Sequence, residues 1–112
     1  MEFDDNKAIY LQIADGICEQ VLRGELKEGE RIPSVREWGA TIGVNPNTVA
    51  RSYELLSETG VIFQKRGIGF FVSADARSII AEEQKKTFIE QELPTFINRA
   101  KLLGVSLKDY IL

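Results

Sequence analysis

The amino-acid sequence predicts a mainly α-helical protein with one small β-hairpin, in the α+β class. Three observations lead to this prediction. Apolar residues recur with helical spacing near the N-terminus, two adjacent helix starts follow between residues 34 and 46, and two short β-rich runs come next. After them the chain returns to helical spacing. We therefore expect a compact domain over residues 1–73 and a helical tail over residues 74–112.

A long amphipathic helix is predicted from Lys7 to Arg23. Isoleucine or valine stands at every fourth position from Ile9 to Val21, which places these side chains on one face. Gly24 follows and is a typical helix stop. Residues 31–33 are expected to be extended, because the residue before a proline is driven away from the helical conformation.

Two helices joined by a tight turn are predicted in the middle of the chain. Ser34 and Glu37 have the spacing of a capping box, in which each side chain satisfies a backbone N–H at a helix start. Gly43 can take the left-handed conformation that ends this helix. Asn45 and Pro46 then form an N-cap and the first position of the next helix. This is a helix-turn-helix, whose second helix normally enters the DNA major groove.

The second helix of this pair has two distinct faces. Its apolar stripe, which is expected to face the core, consists of Val49, Tyr53 and Leu56. Asn47 and Arg51 lie on the opposite face, and asparagine and arginine are the side chains that pair with adenine and guanine edges. An ordinary surface helix is the alternative, with Arg51 paired to Glu54 one turn further on.

A β-hairpin is predicted from the β-rich runs at residues 61–64 and 70–72. Lys65 and Arg66 stand at its tip, and Gly67 and Gly69 let the backbone approach a ligand closely. A hairpin that directly follows a helix-turn-helix is a wing, and in a DNA-binding protein its tip reaches the minor groove or the phosphates. A solvated tip that is polar only for solubility is the alternative.

Charge and composition favour nucleic acid over catalysis. The net charge is −3, but residues 31–72 hold five bases and three acids, whereas residues 1–30 hold eight acids and three bases. With no histidine and only Cys18, neither a zinc site nor a cysteine–histidine nucleophile can be assembled, so we expect no enzyme, no metal and no cofactor. A single cysteine and the lack of an apolar spanning stretch predict a cytoplasmic protein that does not contact membranes.

Four motifs stand in a fixed order along the chain. They are Gly29-Glu30-Arg31-Ile32-Pro33-Ser34-Val35-Arg36-Glu37, then Gly43-Val44 leading to Thr48-Val49, then Glu58-Thr59-Gly60-Val61-Ile62, and finally Arg66-Gly67-Ile68-Gly69-Phe70-Phe71-Val72. Together they resemble the winged-helix domain of GntR-family bacterial transcription regulators over residues 8–72. The resemblance implies DNA binding as a dimer, with Arg36 as a phosphate or base contact and Gly69 in the wing.

The start of the second helix is similar to the YtrA-like branch of that family, in which Asn47, Thr48 and Arg51 would read the bases. The expected function is a sequence-specific transcriptional repressor that binds an inverted-repeat operator in double-stranded DNA as a homodimer. A winged-helix scaffold that binds protein instead is the alternative. The sequence identifies no small-molecule effector. The predicted DNA contacts are Ser34, Arg36, Asn45, Asn47, Thr48, Arg51, Lys65, Arg66, Gly67 and Gly69.

The tail is predicted to form the dimer, because residues 74–112 leave room only for helices and not for an effector domain. Apolar residues there step by 4, 3, 4 and 3, the spacing of a helix–helix seam. We call this set the tail seam: Ile89, Leu93, Phe96, Ala100 and Leu103. Pro94 either kinks this helix or lies in the first turn of a restarted one. Gly104 ends it, and Ser106 begins another short helix. Packing of the seam onto its own domain is the alternative to dimerisation.

Overall fold

The computed structural model describes residues 2–111. The helices are α1 (Ile9–Leu22), α2 (Val35–Ile42), α3 (Pro46–Glu58), α4 (Ala76–Thr87) and α5 (Leu93–Leu102), and the strands are β1 (Arg31–Ile32), β2 (Ile62–Lys65) and β3 (Gly69–Val72). A π-helical turn, Phe88–Glu92, connects α4 to α5, and a 3-10 turn covers Leu107–Asp109. The mainly helical fold with a small sheet that the sequence predicts is confirmed.

Contacts divide the chain into a first unit that ends at Ile80 and a second unit that begins at Ala81. The predicted boundary after residue 73 lies earlier. The two boundaries differ because Ala76 and Ile80, in the first half of α4, are buried in the core of the first unit. That core also contains one face of α1, the apolar stripe of α3 and the inner face of the sheet.

The predicted caps of the helix pair are all present. The Ser34 Oγ accepts a hydrogen bond of 3.1 Å from the Glu37 backbone N–H, and the Glu37 carboxylate accepts one of 3.1 Å from the Ser34 N–H. The hydrogen bond from the Ser34 backbone N–H to the carboxylate lowers the pKa of Glu37, and the Ser34 side chain adds a smaller effect in the same direction. The Asn45 side chain accepts from the Asn47 N–H at 2.8 Å, and Gly43 ends α2 in the left-handed conformation at φ 72°.

The turn between α2 and α3 is tight enough to require a glycine that the sequence analysis did not single out. The Val44 N–H donates to the Gly39 carbonyl oxygen at 2.9 Å. A Cβ atom built on Gly39 would lie only 2.6 Å from the Val44 carbonyl oxygen. Because that oxygen belongs to the backbone, it cannot move aside without opening the turn.

The wing is a three-stranded antiparallel sheet in the order β1-β3-β2. The predicted hairpin is confirmed, with Phe63 opposite Phe71 and Lys65 opposite Gly69. The third strand was not predicted, since the sequence indicates only that residues 31–33 are extended. Strand β1 pairs Arg31 with Phe71, and its neighbour Ile32 points into the core. Burial of Ile32 explains why so short a strand joins the sheet.

Helices α4 and α5 meet at the π-helical turn, directly before a proline. The N–H of Leu93 bonds to the carbonyl oxygen of Phe88, five residues back, which widens the helix there. Pro94 lies in the first turn of α5, but Glu92 and Leu93 keep helical backbone angles, so the helix runs on through the π-helical turn and does not start afresh. Gly104, at φ 69°, follows the end of α5. Ser106 precedes the 3-10 turn, but its side chain makes no capping hydrogen bond.

Candidate nucleic-acid interface

The start of α3 brings three predicted base-reading residues together. Asn47, Thr48 and Arg51 line one surface hollow of about 360 Å³ with three residues from the start of α1. Asn47 and Arg51 are exposed, and Thr48 is half-buried. Their side-chain donors and acceptors are therefore displayed together at the N-terminal end of this helix, which is the end that enters the major groove in helix-turn-helix proteins.

The opposite face of α3 fixes the orientation of the helix. Val49, Tyr53 and Leu56 are almost completely buried, as the apolar stripe predicts. The Tyr53 hydroxyl donates a hydrogen bond of 2.6 Å to the Pro33 carbonyl oxygen, and its ring meets Phe70 edge-on at 5.0 Å. Burial raises the pKa of Tyr53 well above its ordinary value, so this hydroxyl keeps its proton. These contacts leave the Asn47 and Arg51 side outermost.

Arg51 does not form the alternative pair with Glu54. Within residues 2–111 the ion pairs are Lys7–Asp15 and Arg23–Glu19. The guanidinium of Arg51 instead stacks on the ring of Tyr10 from α1, with its central carbon 4.0 Å from the ring centroid.

The predicted DNA contacts Ser34 and Asn45 already use part of their hydrogen-bonding capacity to cap the helices. The Ser34 and Asn45 oxygens already accept hydrogen bonds as N-caps. The hydroxyl hydrogen of Ser34 and the amide hydrogens of Asn45 are still available as donors. Arg36 stands at the second position of α2 and is exposed, and its side chain makes no hydrogen bond or ion pair within the described part of the chain.

The wing tip differs from the prediction in one detail. Arg66 and Gly67 are exposed between the two strands, and Gly67 has φ 78°. Lys65 closes β2 and is exposed, and its ammonium group lies over the ring of Phe71 at 4.6 Å. Gly69 is covered, because a Cβ atom there would lie 2.8 Å from Nε of Arg31.

The tail seam is mostly exposed within its own chain. Phe96 and Leu103 keep 54% and 63% of their surface in contact with solvent, and Ile89 is exposed to the same degree as Phe96. Leu93 is half-buried and Ala100 is buried. Ile89 lies inside the π-helical turn, where each residue turns the chain less than in an α-helix. The spacing of 4, 3, 4 and 3 therefore has α-helical meaning only from Leu93 onward.

The family of this chain follows from its similarity to known proteins. Residues 9–72 match the bacterial regulatory proteins of the gntR family. The chain belongs to the GntR family. It is 36% identical to the HTH-type transcriptional regulator YhcF of Bacillus subtilis over 98% of this chain and 89% of that protein. It is 39% identical to the HTH-type transcriptional repressor YtrA of the same species over 89% of this chain and 76% of that protein.

Solved structures agree with this assignment. A GntR-family transcriptional regulator from Listeria monocytogenes is 35% identical and superposes with a TM-score of 0.78, covering 97% of this chain and 94% of that one. The DNA-binding domain of AraR, solved in complex with operator ORR3, is 25% identical with a TM-score of 0.58, covering 65% of this chain and 86% of that one. The predicted GntR resemblance is thus confirmed, and the chain is a transcriptional regulator of this family.

The sequence analysis missed two residues of the candidate DNA-binding surface, Arg31 and Tyr10. Arg31 joins the wing through the pairing of β1 with β3, and alternation with the buried Ile32 is the local signal that could have placed it on the outer face. Tyr10 meets Arg51 across forty intervening residues, and no local pattern in the sequence indicates that contact.

Across residues 2–111 no group of histidine, cysteine, aspartate and glutamate side chains is arranged to hold a metal ion. Every helix in the same range is too short or too polar to cross a membrane.

Proposed function

We propose that this chain is a sequence-specific repressor that acts in the cytoplasm and binds an inverted-repeat operator as a homodimer. The observation on which the proposal rests is the joint display of Asn47, Thr48 and Arg51 at the start of α3. The repressor function of YtrA and the operator complex of the AraR domain support it by analogy.

Base reading falls to Arg51 and Asn47. The guanidinium of Arg51 has its N–H donors free along its edge, where they can bond both acceptors of a guanine. The Asn47 side-chain amide makes no hydrogen bond within residues 2–111 and matches the donor and acceptor of an adenine edge. Each such bidentate pair contributes about 1–3 kcal/mol of discrimination against the wrong base.

We assign the contacts with the DNA phosphate backbone to the cations that flank this helix. Arg36 lies near the start of α2 and Arg66 lies in the wing tip, both exposed. Lys65 lies over the Phe71 ring, and the Arg31 side chain passes over Gly69, so both cations are on the outer face of the wing. Such contacts carry little sequence information, but they fix the register of the protein on the duplex.

Dimerisation falls to the tail seam. Phe96 and Leu103 are more than half exposed, and contiguous apolar side chains of this kind mark protein contacts. A second copy of the chain is the occupant that fits best, because two identical apolar faces complement each other across a two-fold axis. A two-fold dimer matches an inverted-repeat operator, with half-site centres about one helical turn apart or a multiple of it.

The function is tested by selecting DNA with the purified full chain from a pool of random duplexes. The enriched site and a scrambled duplex are then compared in a gel shift. We expect Arg51→Ala to weaken binding to the enriched site by about 1–3 kcal/mol and binding to scrambled DNA much less. Arg23→Ala is the matched control, because it removes the same charge at the far end of α1, about 20 Å from Tyr10. Equal losses on both duplexes would mean that Arg51 contacts a phosphate and not a base. Failure of the selection to enrich any site would contradict the proposal.

A further inference from the structure

Arg51 is held in place by a residue from another helix. Its guanidinium carbon lies 4.0 Å from the centre of the Tyr10 ring. Tyr10 is itself tied to α3, because the Ser52 hydroxyl donates a hydrogen bond of 2.7 Å to the Tyr10 carbonyl oxygen. Ser52 is fully buried and follows Arg51 in the chain. The backbone of Tyr10 and the base of the Arg51 side chain are therefore fixed relative to each other.

The contact between the Arg51 guanidinium and the Tyr10 ring occupies none of the hydrogen-bond donors of Arg51. Arginine carries five N–H donors in a rigid plane, and an aromatic ring on that plane blocks none of them. Within residues 2–111 the Arg51 side chain makes no hydrogen bond or ion pair. A long side chain normally loses rotamer freedom when it binds, and Arg51 has lost part of that freedom already in the free protein.

The stack also lies at the surface that we propose for base reading. Tyr10 and Arg51 line the same hollow as Asn47 and Thr48. Tyr10 is half-buried, so its ring supports Arg51 from the side of α1 while Arg51 remains exposed. A guanidinium that is held at one orientation presents its paired donors to one base geometry better than a freely rotating one does.

We propose that Tyr10 is a positioning residue for Arg51 and sharpens selectivity at the one base pair of each half-site that Arg51 reads. This inference rests on the proposed DNA-binding function. Tyr10 contributes through its ring and not through its hydroxyl, since the stack needs only an aromatic face. Phenylalanine should therefore replace it, whereas leucine should fill similar space without supplying that face.

The test compares base preferences at every position of the selected site for the full-length wild type, Tyr10→Leu, Tyr10→Phe and Arg51→Ala. Arg51→Ala should lose about 5- to 150-fold of preference at one base pair of each half-site. Tyr10→Leu should lose about two- to fivefold at the same base pair and nothing elsewhere. Tyr10→Phe should match the wild type, and Tyr10→Leu should have no further effect when Arg51 is already alanine.

The outcomes distinguish failure of the Tyr10 positioning role from failure of the proposed DNA-binding function. If the wild type enriches a site and Tyr10→Leu keeps its preference at every base pair, the positioning role is wrong while DNA binding stands. The same conclusion follows if Tyr10→Leu weakens every position and scrambled DNA equally, because that is the result of a purely structural residue. If the wild type enriches no site, the proposed function itself fails. Tyr10→Ile, with circular dichroism as a check of folding, replaces Tyr10→Leu if that variant does not fold.

Discussion

Helix α3 and the tail seam are built from the same kinds of side chain with opposite results. In α3, Tyr53 is only 1% exposed, and its hydroxyl and its ring both have partners in the same unit. In the tail, Phe96 is 54% exposed and has no aromatic partner among the described residues. An aromatic residue on a helical apolar stripe therefore does not by itself indicate a core position.

The difference separates two sources of stability. The α3 stripe is satisfied within one chain, so it stabilises the helix-turn-helix regardless of protein concentration. The tail seam leaves apolar surface uncovered within its own chain. In the proposed dimer, its contribution to stability depends on a partner and therefore on protein concentration. In our account the first region holds the reading surface in shape, and the second brings two reading surfaces to one operator.

The largest contrast is expected between alanine at Tyr53 and alanine at Phe96. Tyr53→Ala should lower the free energy of unfolding by about 3–5 kcal/mol, because it leaves a cavity between α3 and the sheet. Phe96→Ala should cost far less when urea unfolding is measured at concentrations where the chain is monomeric. Similar losses for the two variants under those conditions would mean that Phe96 packs onto its own chain.

The turn of the helix pair offers the next largest effect. Alanine in place of a helical glycine usually stabilises a helix by about 1 kcal/mol. Gly39→Ala should instead cost about 1–3 kcal/mol in thermal unfolding, because its methyl group would meet the Val44 carbonyl oxygen. Gly43→Asn is the control, since no atom lies within 4 Å of its Cβ position and asparagine tolerates the left-handed conformation. A gain in stability for Gly39→Ala would contradict the close approach.

The buried hydroxyl of Tyr53 predicts a pH dependence. Its pKa in the folded state is raised by burial above the ordinary value of 10.0, so the folded state retains this proton more strongly than the unfolded state. The contribution is fully present below that value, and stability should fall by about 1.4 kcal/mol per pH unit above it.

Tyr53→Phe should remove this alkaline loss, at a cost of about 1 kcal/mol at neutral pH for the lost bond to Pro33. Urea midpoints between about pH 9 and about pH 11 measure both effects. Tyr110→Phe, at an exposed position of the tail, is the matched control. An alkaline loss that persists in Tyr53→Phe would assign it to another group.

The smallest effect concerns salt. Replacement of Arg36, Lys65 and Arg66 by alanine should reduce the steepness of the plot of log DNA-binding constant against log salt concentration. The expected reduction is roughly 0.9 for every phosphate contact removed. The control removes three positive charges from the second unit, at Lys85, Lys86 and Lys108. Gel shifts over a range of salt concentrations measure the slopes. If both triple variants change the slope equally, the cations of α2 and the wing do not contact the DNA phosphates more than the cations of the second unit do.

Local signals made much of this fold predictable. Capping by Ser34, Glu37 and Asn45 is decided within a few residues, so the helix pair follows from sequence alone. The stripe of α3 likewise follows from periodicity, and it places Asn47 and Arg51 on the opposite side.

The features that escaped prediction depend on contacts between distant residues. The pairing of β1 with β3 carries Arg31 to the wing, and the stack of Tyr10 on Arg51 joins two helices. The requirement for glycine at position 39 arises from the path of the following turn rather than from α2 itself. Such contacts have no period and no fixed spacing, and only the folded chain displays them.

The most direct test of the central claim is the double variant Leu93→Glu/Phe96→Glu, which places two charges in the tail seam. Sedimentation should give a dimer for the wild type and a monomer for the variant, with helical circular dichroism retained. Affinity for the enriched operator should fall by about 10²–10⁴-fold, because the second half-site no longer binds as a tethered partner. A variant that stays dimeric, or a monomer that binds the operator as tightly as the wild type, would contradict the account.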